Sequence, residues 1–152
     1  MPETPGAGTD RLMELLSVSL GAYYGDFTVA AAAEGLTASQ GKTLSVLRRG
    51  PSAMRALATT LACDASNMTG IIDRLEKRSL VRREPSPVDR RVKNVLLTAD
   101  GERAVDAIRA GMRTTLAGLE TLDDADRDVL AGLLERVFAV PDAEPVTGGR
   151  TP

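Results

Sequence analysis

The sequence predicts a mainly α-helical fold that carries one small β-hairpin. Apolar residues recur at three- and four-residue spacing along most of the 152-residue chain, which is typical of helices with one buried face. Capping residues and glycine or proline breaks divide this pattern into six helices. Between the fourth and fifth helices, two weakly alternating stretches flank a proline-containing charged loop, which indicates the hairpin. The length, with 43% hydrophobic and 26% charged residues, suits one soluble globular domain.

The first helix follows a tail rich in proline, glycine and threonine, residues 1–8, which we expect to be disordered. Thr9 or Asp10 is expected to cap this helix, and Gly35 lies where it should end. The apolar stripe of the helix consists of Leu12, Leu15, Leu16, Leu20, Tyr23, Tyr24 and Phe27.

Three shorter helices are predicted next, each after a polar residue that can cap it. Thr37 and Gln40 have the spacing of a capping box and should start the second helix. Ser52 can cap the third helix and Asp64 the fourth. The fourth helix, of about 14 residues by its apolar spacing, should turn inward Met68, Ile71, Ile72 and Leu75.

The hairpin and two further helices complete the chain. Leu80–Glu84 and Lys93–Leu97 are the predicted strands, with a tip around Pro85–Arg91. Thr98 should cap a fifth helix whose apolar face runs without a break from residue 105 to residue 119. Thr121 or Asp123 should start a sixth helix with acidic residues in its first turn, as the helix dipole favours.

This order of elements is that of a winged helix-turn-helix carried on a helical dimerisation body. We predict a single domain over residues 9–140, with the winged module at residues 36–98. The body would comprise residues 9–35 and 99–140, followed by a flexible tail at residues 141–152.

The charge distribution separates the same regions. The formal net charge is −2, but the stretch from Arg48 to Lys93 holds eleven basic and five acidic residues, a net charge of +6. The remainder of the chain has eight basic and sixteen acidic residues, a net charge of −8. A basic middle between acidic flanks favours a polyanion-binding module, although acidic solvated helix faces on the flanks would give the same count.

Composition excludes several classes of function. The chain has no histidine, which excludes a histidine general base and nearly every histidine metal site, and it shows no catalytic constellation. We therefore expect no enzymatic activity, no metal and no cofactor. The segment from Gly35 to Thr43 resembles a phosphate-binding loop, but it has five residues instead of four between its glycines and follows a helix. Aromatic residues make up only 3%, too few for a platform that stacks single-stranded nucleic acid.

The same composition indicates a cytoplasmic protein. The uncharged stretch from Leu15 to Gly25 is too short for a membrane span and lacks the flanks of a secretory signal. Cys63 is the single cysteine, so an intramolecular disulfide is excluded. A redox role for Cys63 stays open as an alternative, but its place in a turn favours packing as a small apolar residue.

The fourth helix carries the candidate DNA-reading residues. In a helix-turn-helix, the N-terminal residues of the second helix reach the floor of the major groove. Ser66 and Asn67 can hydrogen-bond base edges, and the methyl group of Thr69 can contact a thymine methyl. Gly70 leaves room on the same face, and Arg74 lies one turn further on, within reach of a phosphate or a base.

A basic edge and the hairpin tip add candidate backbone contacts. Arg78, Arg82 and Arg83 prolong the basic edge beyond the helix. Arg90 and Arg91 at the exposed tip suit insertion into a minor groove, whose negative potential attracts guanidinium groups. Asp89 is expected to pair with the Arg91 side chain in a charge-assisted fork that holds the tip in shape.

Three segments, in this order and spacing, resemble the MarR family of bacterial transcriptional regulators over about Leu36–Ala139. They are Leu36-Thr37-x-x-Gln40-x-x-x-Leu44-x-x-Leu47, the run Ser66–Val81, and Asp89-Arg90-Arg91 followed by Val95-x-Leu97-Thr98-x-x-Gly101. The resemblance implies a homodimer whose first, fifth and sixth helices intertwine and whose two winged modules bind a pseudo-palindrome in double-stranded DNA. Groove-facing positions are implied for Ser66, Asn67, Thr69 and Arg74, and the wing arginine for Arg91.

Two residues depart from the family pattern. Ser79 replaces the usual glycine between the recognition helix and the wing. Gly70 stands where a longer polar or basic side chain is common, which weakens the expected base readout there.

The functional hypothesis is a sequence-specific transcriptional regulator, acting as a ligand-responsive repressor. Tyr23, Tyr24 and Phe27 could line a pocket for a small aromatic effector, or they could form dimer core. A winged helix that binds only protein is the alternative class, which the basic middle and the arginines of the tip disfavour.

Overall fold

The computed structural model of the protein describes residues 6–138, which form seven helices and three short strands. In chain order these are α1 (Ala7–Ala33), α2 (Ala38–Leu47), β1 (Ser52–Ala53), α3 (Met54–Thr60), α4 (Ala65–Lys77), β2 (Val81–Pro85), β3 (Lys93–Leu97), α5 (Ala99–Gly111), α6 (Arg113–Glu120) and α7 (Asp124–Phe138). The fold is mainly α-helical with a small antiparallel sheet, so the predicted class is confirmed. The predicted tail at residues 141–152 lies outside the described residues.

Residues 36–98, here called the winged module, contain most of the hydrophobic core. The side chains of α2, α3, α4 and the sheet meet at its centre, and α5 packs against them. Its fully buried large side chains are Leu44, Leu57, Met68, Ile72, Leu75, Val81 and Val95. The strand order is β1-β3-β2, and β3 pairs with both neighbours, placing Val95 opposite Ser52 on one side and Arg83 on the other.

The predicted polar caps are confirmed at four helices, including α7, where the Asp123 carboxylate accepts a hydrogen bond from the backbone N–H of Asp126 at 2.8 Å. Thr37 and Gln40 form the reciprocal capping box of α2. The carboxylate of Asp64 accepts a hydrogen bond from the backbone N–H of Asn67 at 2.8 Å, at the start of α4. The Thr98 hydroxyl does the same for Gly101 in α5 at 3.1 Å.

The predicted starts of the first and third helices are wrong. Helix α1 begins at Ala7, after Gly6, and no side chain caps it, so Thr9 and Asp10 lie inside its first turn. Ser52 does not cap α3, because pairing with Val95 draws Ser52 into strand β1, and Ala53 precedes the helix instead. Sequence spacing cannot foresee this, because β1 has only two residues and exists through its tertiary pairing with β3.

The predicted fifth helix is divided into α5 and α6. The chain leaves helical geometry at Met112, which has φ −77° and ψ 65°. The free N-terminus of α6 is then capped from another helix, since the Asp26 carboxylate of α1 accepts a hydrogen bond from the backbone N–H of Thr115 at 2.7 Å. This bond holds the pKa of Asp26 below its usual value.

Three helices end in the same left-handed turn. The residue after the C-cap has positive φ at Gly35 (66°), Ala62 (49°) and Ser79 (58°). In each case the following N–H returns to the carbonyl five residues earlier, as in a Schellman motif. Only Gly35 accepts this conformation without cost, which gives a physical reason for a glycine at position 79.

The helices outside the winged module leave much of their apolar surface exposed. In the described part of the chain, helices α6 and α7 contain no buried side chain, and none of the residues in the first two thirds of α1 is buried either. Val18 is 67% exposed, Leu12 61% and Leu133 49%. Within residues 6–138 no helix has the length and apolar character needed to cross a membrane.

Candidate nucleic-acid interface

Helix α4 presents a polar face on the side opposite its buried face. Met68, Ile72 and Leu75 turn into the core and are fully buried. With 3.6 residues per turn, Ser66, Gly70 and Lys77 fall on the opposite side, and Ser66 and Lys77 are exposed. The helix packs on α2 and α3 from behind, so the winged module holds this polar face outward.

The hydrogen-bonding groups at the start of α4 are partly engaged by the helix itself. The Ser66 hydroxyl donates to the Asp64 carboxylate at 2.6 Å, and the Thr69 hydroxyl donates to the Ala65 carbonyl at 2.9 Å. The Ser66 bond, with that from the Asn67 N–H, lowers the pKa of Asp64. Ser66 and Thr69 therefore present acceptor lone pairs and, for Thr69, a methyl group, which suits contact with amino groups and thymine methyls.

The guanidinium of Arg74 extends toward Gly70. A Cβ atom added at Gly70 would lie 3.5 Å from one guanidinium nitrogen, in ordinary contact, so the arginine lies directly over this position of the helix. Arg74 is exposed, and it forms no ion pair with any residue between 6 and 138. Gly70 and Arg74 together thus place one unpaired positive charge along the outer face of the helix.

Arg83 pairs with both carboxylates of α4 and offsets one of their two negative charges. From strand β2, its guanidinium donates hydrogen bonds to the Asp73 carboxylate at 2.5 Å and to the Glu76 carboxylate. Burial alone would lower the pKa of Arg83, but the hydrogen bonds and charges of Asp73 and Glu76 outweigh burial and raise it. Sequence reasoning counted Arg83 only as part of a basic edge, because nothing in the spacing shows that β2 returns beside α4.

The hairpin forms the predicted wing. In its tip, the backbone N–H of Arg91 donates to the Asp89 carboxylate at 3.0 Å. The predicted fork between the side chains of Asp89 and Arg91 is wrong, because a carboxylate two residues earlier reaches the backbone N–H first in this tight turn. The guanidinium groups of Arg90 and Arg91 are exposed and make no ion pair within the described chain.

The other two edge arginines have partners inside the chain. Arg82 pairs with Glu84 on the same strand at 2.5 Å. The Arg78 guanidinium donates to the backbone carbonyls of Gly35 at 2.6 Å and Glu34 at 3.0 Å, at the end of α1. Their predicted contacts with DNA stay predictions.

Tyr23, Tyr24 and Phe27 lie together at an open cavity of about 190 Å³ between α1 and α2. Phe27 is also buried against Gly41, where α1 and α2 approach closely. Lys42, which sequence reasoning did not assign to this site, lines the cavity with its amine 4.1 Å from the centre of the Tyr24 ring. The site therefore combines aromatic rings with a cation, a pairing that only the α1–α2 contact creates.

Cys63 is half-buried and packs against the core. It borders a cavity of about 100 Å³ together with Lys42, Asn67 and Met68. Asn67 thus stands at the border between this cavity and the outer face of α4. No group of three or more metal-binding side chains occurs in the described part of the chain.

Helix order, wing and polar outer face of α4 define a winged helix-turn-helix protein. Residues 36–93 match the profile of the MarR family. The chain is 31% identical over 91% of its length to the HTH-type transcriptional repressor NicR of Pseudomonas putida, covering 89% of that protein. It is 34% identical over 69% of its length to a putative transcriptional regulatory protein for the hcr operon of Thauera aromatica, of which it spans 64%.

A solved structure agrees over nearly the whole chain. The crystal structure of CouR from Rhodococcus jostii RHA1 bound to p-coumaroyl-CoA superposes with a TM-score of 0.68 at 27% identity, covering 93% of this chain and 97% of that one. The chain belongs to the MarR family of transcriptional regulators.

Proposed function

We propose that the protein is a homodimeric, ligand-responsive repressor that binds a pseudo-palindromic DNA operator. The observation that carries the proposal is the charge arrangement at α4. Arg83 offsets one of the two negative charges of Asp73 and Glu76, and the guanidinium groups of Arg74 and the two wing arginines, unpaired within residues 6–138, outweigh the other. The surface offered to DNA is therefore positive where contact is expected. Because its target is DNA, we place its action in the cytoplasm.

Dimerisation follows from the exposed apolar faces of α1, α6 and α7. A soluble monomer rarely exposes apolar patches of this extent. Two copies that cover these faces would hold two winged modules in fixed relation. Their recognition helices would need to lie about 34 Å apart to enter successive major grooves on one face of DNA.

Base and backbone contacts are assigned to α4 and the wing. We assign Ser66, Asn67, Thr69 and Arg74 to the major groove, together with Gly70, over which the Arg74 guanidinium lies. Arg90 and Arg91 would contact the minor groove or its phosphates, with Asp89 shaping the turn that carries them.

The test is fluorescence anisotropy with the upstream DNA of the protein's own gene, across a salt series. Arg91→Ala should reduce the slope of log affinity against log salt by about 0.9 for each phosphate that the side chain neutralises in the wild type. Arg74→Ala should do the same, or else relax specificity at one base position. Arg103→Ala is the matched control, since Arg103 lies on α5 and pairs with Asp100. Equal weakening in all three variants, or no preference over random DNA, would contradict the proposal.

The double variant Arg90→Glu and Arg91→Glu separates a DNA-binding module from a protein-binding one. We expect it to abolish DNA binding at all salt concentrations, because it places two negative charges at the wing tip. Full retention of DNA binding would remove the wing from the proposal. Cys63 is not favoured as a redox sensor, because it packs against the core of the winged module.

A ligand response is supported by the aromatic cavity at α1 and α2. Its volume of about 190 Å³ is below the common range for drug-sized ligands, which suits a single-ring compound. Lys42 adds a positive charge, so we assign the cavity to a small aromatic acid. CouR, a related structure, was crystallised with p-coumaroyl-CoA. The relative NicR is named a transcriptional repressor, which supports repression rather than activation of transcription by this protein.

Calorimetry with p-coumarate, benzoate and benzamide tests this assignment. The two acids should bind and weaken the protein's affinity for DNA, whereas the neutral amide should not. Lys42→Met should abolish the preference for the acids while DNA binding without ligand is retained. Binding of benzamide equal to that of benzoate would contradict the role of Lys42.

A further inference from the structure

We infer that Arg78 positions the recognition helix by linking it to α1, and does not contact DNA. The link consists of two hydrogen bonds, from Arg78 Nη1 to the Gly35 carbonyl at 2.6 Å and from Arg78 Nη2 to the Glu34 carbonyl at 3.0 Å. We call this pair of hydrogen bonds the Arg78 link. The inference rests on the proposed DNA binding for its functional consequence, but not for the existence of the link.

The link joins the ends of two helices with different tasks. Arg78 is the C-cap residue of α4, which carries the proposed DNA-reading side chains. Glu34 is the C-cap residue of α1, which carries Tyr23, Tyr24 and the exposed apolar face. A rotation of α1 in the dimer would therefore reach the end of α4 through two hydrogen bonds.

The chemistry of the link requires an arginine. A guanidinium is planar and presents two donors at fixed separation, so it can bond two adjacent carbonyls at once. A lysine at position 78 would keep the charge but would present a single point donor. The negative end of the α1 dipole adds an attraction for any cation there, which both residues would share.

Gly35 shapes the acceptor side of the link. Its φ of +66° belongs to the left-handed turn that ends α1 and brings both carbonyls to the same guanidinium. A Cβ atom at this position would lie 3.8 Å from both guanidinium nitrogens, which is ordinary contact. Gly35→Ala would therefore act through backbone strain rather than through a clash with Arg78.

The opposing possibility is that Arg78 leaves these carbonyls and contacts a phosphate. The two roles give different salt dependence. Removing a phosphate contact reduces the slope of log affinity against log salt by about 0.9, and lysine largely restores it. Removing a positioning residue lowers affinity at every salt concentration without changing the slope, and lysine does not restore it.

The experiment compares Arg78→Lys, Arg78→Gln and Lys77→Gln in the full-length protein, on the DNA fragment that the wild type binds. Lys77→Gln is the comparison for loss of charge alone, because Lys77 is the neighbouring exposed cation and its side chain forms no hydrogen bond or ion pair within residues 6–138. Any weakening that it causes should come with a reduced slope, since it removes a positive charge from the outward face of α4 without removing a link. Arg78→Lys and Arg78→Gln should both weaken binding by a similar factor, up to about tenfold for the loss of charge-assisted bonds, with the wild-type slope. Wild-type affinity in Arg78→Lys, or a reduced slope in Arg78→Gln alone, would overturn the inference.

Amide hydrogen exchange in the protein without DNA provides a second, independent measurement. The N–H groups of Gly35 and Leu36 close the last turn of α1 on the carbonyls of Ala32 and Ala31. They should exchange faster in both Arg78 variants and at the wild-type rate in Lys77→Gln. Unchanged exchange in Arg78→Gln would show that the link is absent in solution. Failure of the wild type to bind any DNA would overturn the proposed function instead, and exchange would still decide whether the link exists.

Discussion

The winged module and the terminal helices differ in how much of their apolar surface the chain itself buries. In the winged module, residues from α2, α3, α4 and the sheet bury one another, and most of its large apolar side chains are buried. In α6, α7 and the first two thirds of α1, leucines and valines at helical spacing remain on the surface. One region buries its apolar surface within a single chain, whereas the other leaves much of its apolar surface exposed.

Neighbouring elements explain why similar hydrophobic spacing has two outcomes. Apolar spacing in α4 and in α7 predicts a buried face in both helices, and only α4 has that face buried within the chain. The difference arises because α4 has α2, α3 and β2 packed around it. For α7 the missing neighbour is supplied, in our proposal, by the second copy.

The largest effect is expected when the terminal helices are charged. Leu130→Glu with Leu133→Glu should raise the dimer dissociation constant by about 1000-fold or more, equivalent to about 4 kcal/mol, because unpaired charges would be buried in the interface. Sedimentation velocity at several concentrations measures this change. Val88→Glu is the control, because Val88 is 94% exposed on the wing and should leave the dimer intact. An unchanged dimer in the leucine variant would remove α7 from the interface.

Gly101 lies in α5, where this helix packs against the winged module, and Gly101→Ala should be severely destabilising. The new Cβ atom would lie 2.0 Å from the backbone oxygen of Leu80, so the wing and α5 must separate. We expect a loss of about 3 kcal/mol or more in the free energy of unfolding by urea. Gly8→Ala, where nothing lies within 4 Å of the added atom, should stay within about 0.5 kcal/mol of wild type. Similar losses in the two variants would refute the close approach.

A smaller change, of opposite sign, is expected at the turn after α4. Ser79→Gly should stabilise the protein by about 0.5–1 kcal/mol, because relief of left-handed strain outweighs the added freedom of the unfolded chain. Ala62→Gly should behave alike, since Ala62 has the same geometry. Ser39→Gly, within α2, should instead cost stability. Thermal melts of the three variants give the comparison, and a loss at Ser79→Gly would contradict it.

The smallest effect concerns the hydrogen bond that joins α1 to α6. Because the pKa of Asp26 is lowered from 3.8, the stability that the ionised carboxylate contributes is complete well above that value and is lost as the pH falls through the lower folded-state pKa. Asp26→Asn should therefore be less stable than wild type near neutral pH, and the difference should shrink as the pH falls below 3.8. Urea unfolding across this range tests it. Asp10→Asn is the control, as Asp10 shares α1 but has no capping partner in the described structure. A constant difference with pH would refute the bond.

Much of the fold was predictable because its signals are local. The caps at Thr37, Asp64 and Thr98 act within three residues, so their spacing alone identifies three helix starts. The apolar face of α4 and the two hairpin strands follow equally from short-range periodicity. The two predictions that failed depend on distant residues. Ser52 pairs with strand β3, and the helix break at Met112 is followed by a cap from the Asp26 carboxylate.

The candidate DNA-binding residues were predictable as residue types but not as a charge pattern. Ser66, Thr69 and Arg74 follow from their place after the turn of a helix-turn-helix. Which cations are unpaired does not follow, because Arg83 reaches α4 only once β2 folds back beside it. Lys42 likewise joins the aromatic residues of α1 only through helix packing.

Local hydrogen bonds and periodic burial depend on residues that are neighbours in the sequence. For this reason the sequence by itself determined the helices, the wing and the family of this protein. Pairing between distant charges depends on distances that only the folded chain has. Tertiary structure therefore decided that Arg83 pairs with the carboxylates of α4, that Asp26 caps α6, and that Arg78 reaches the end of α1. A hydrogen bond or a close ion pair forms only when its atoms lie within about 4 Å of each other, so these assignments required coordinates.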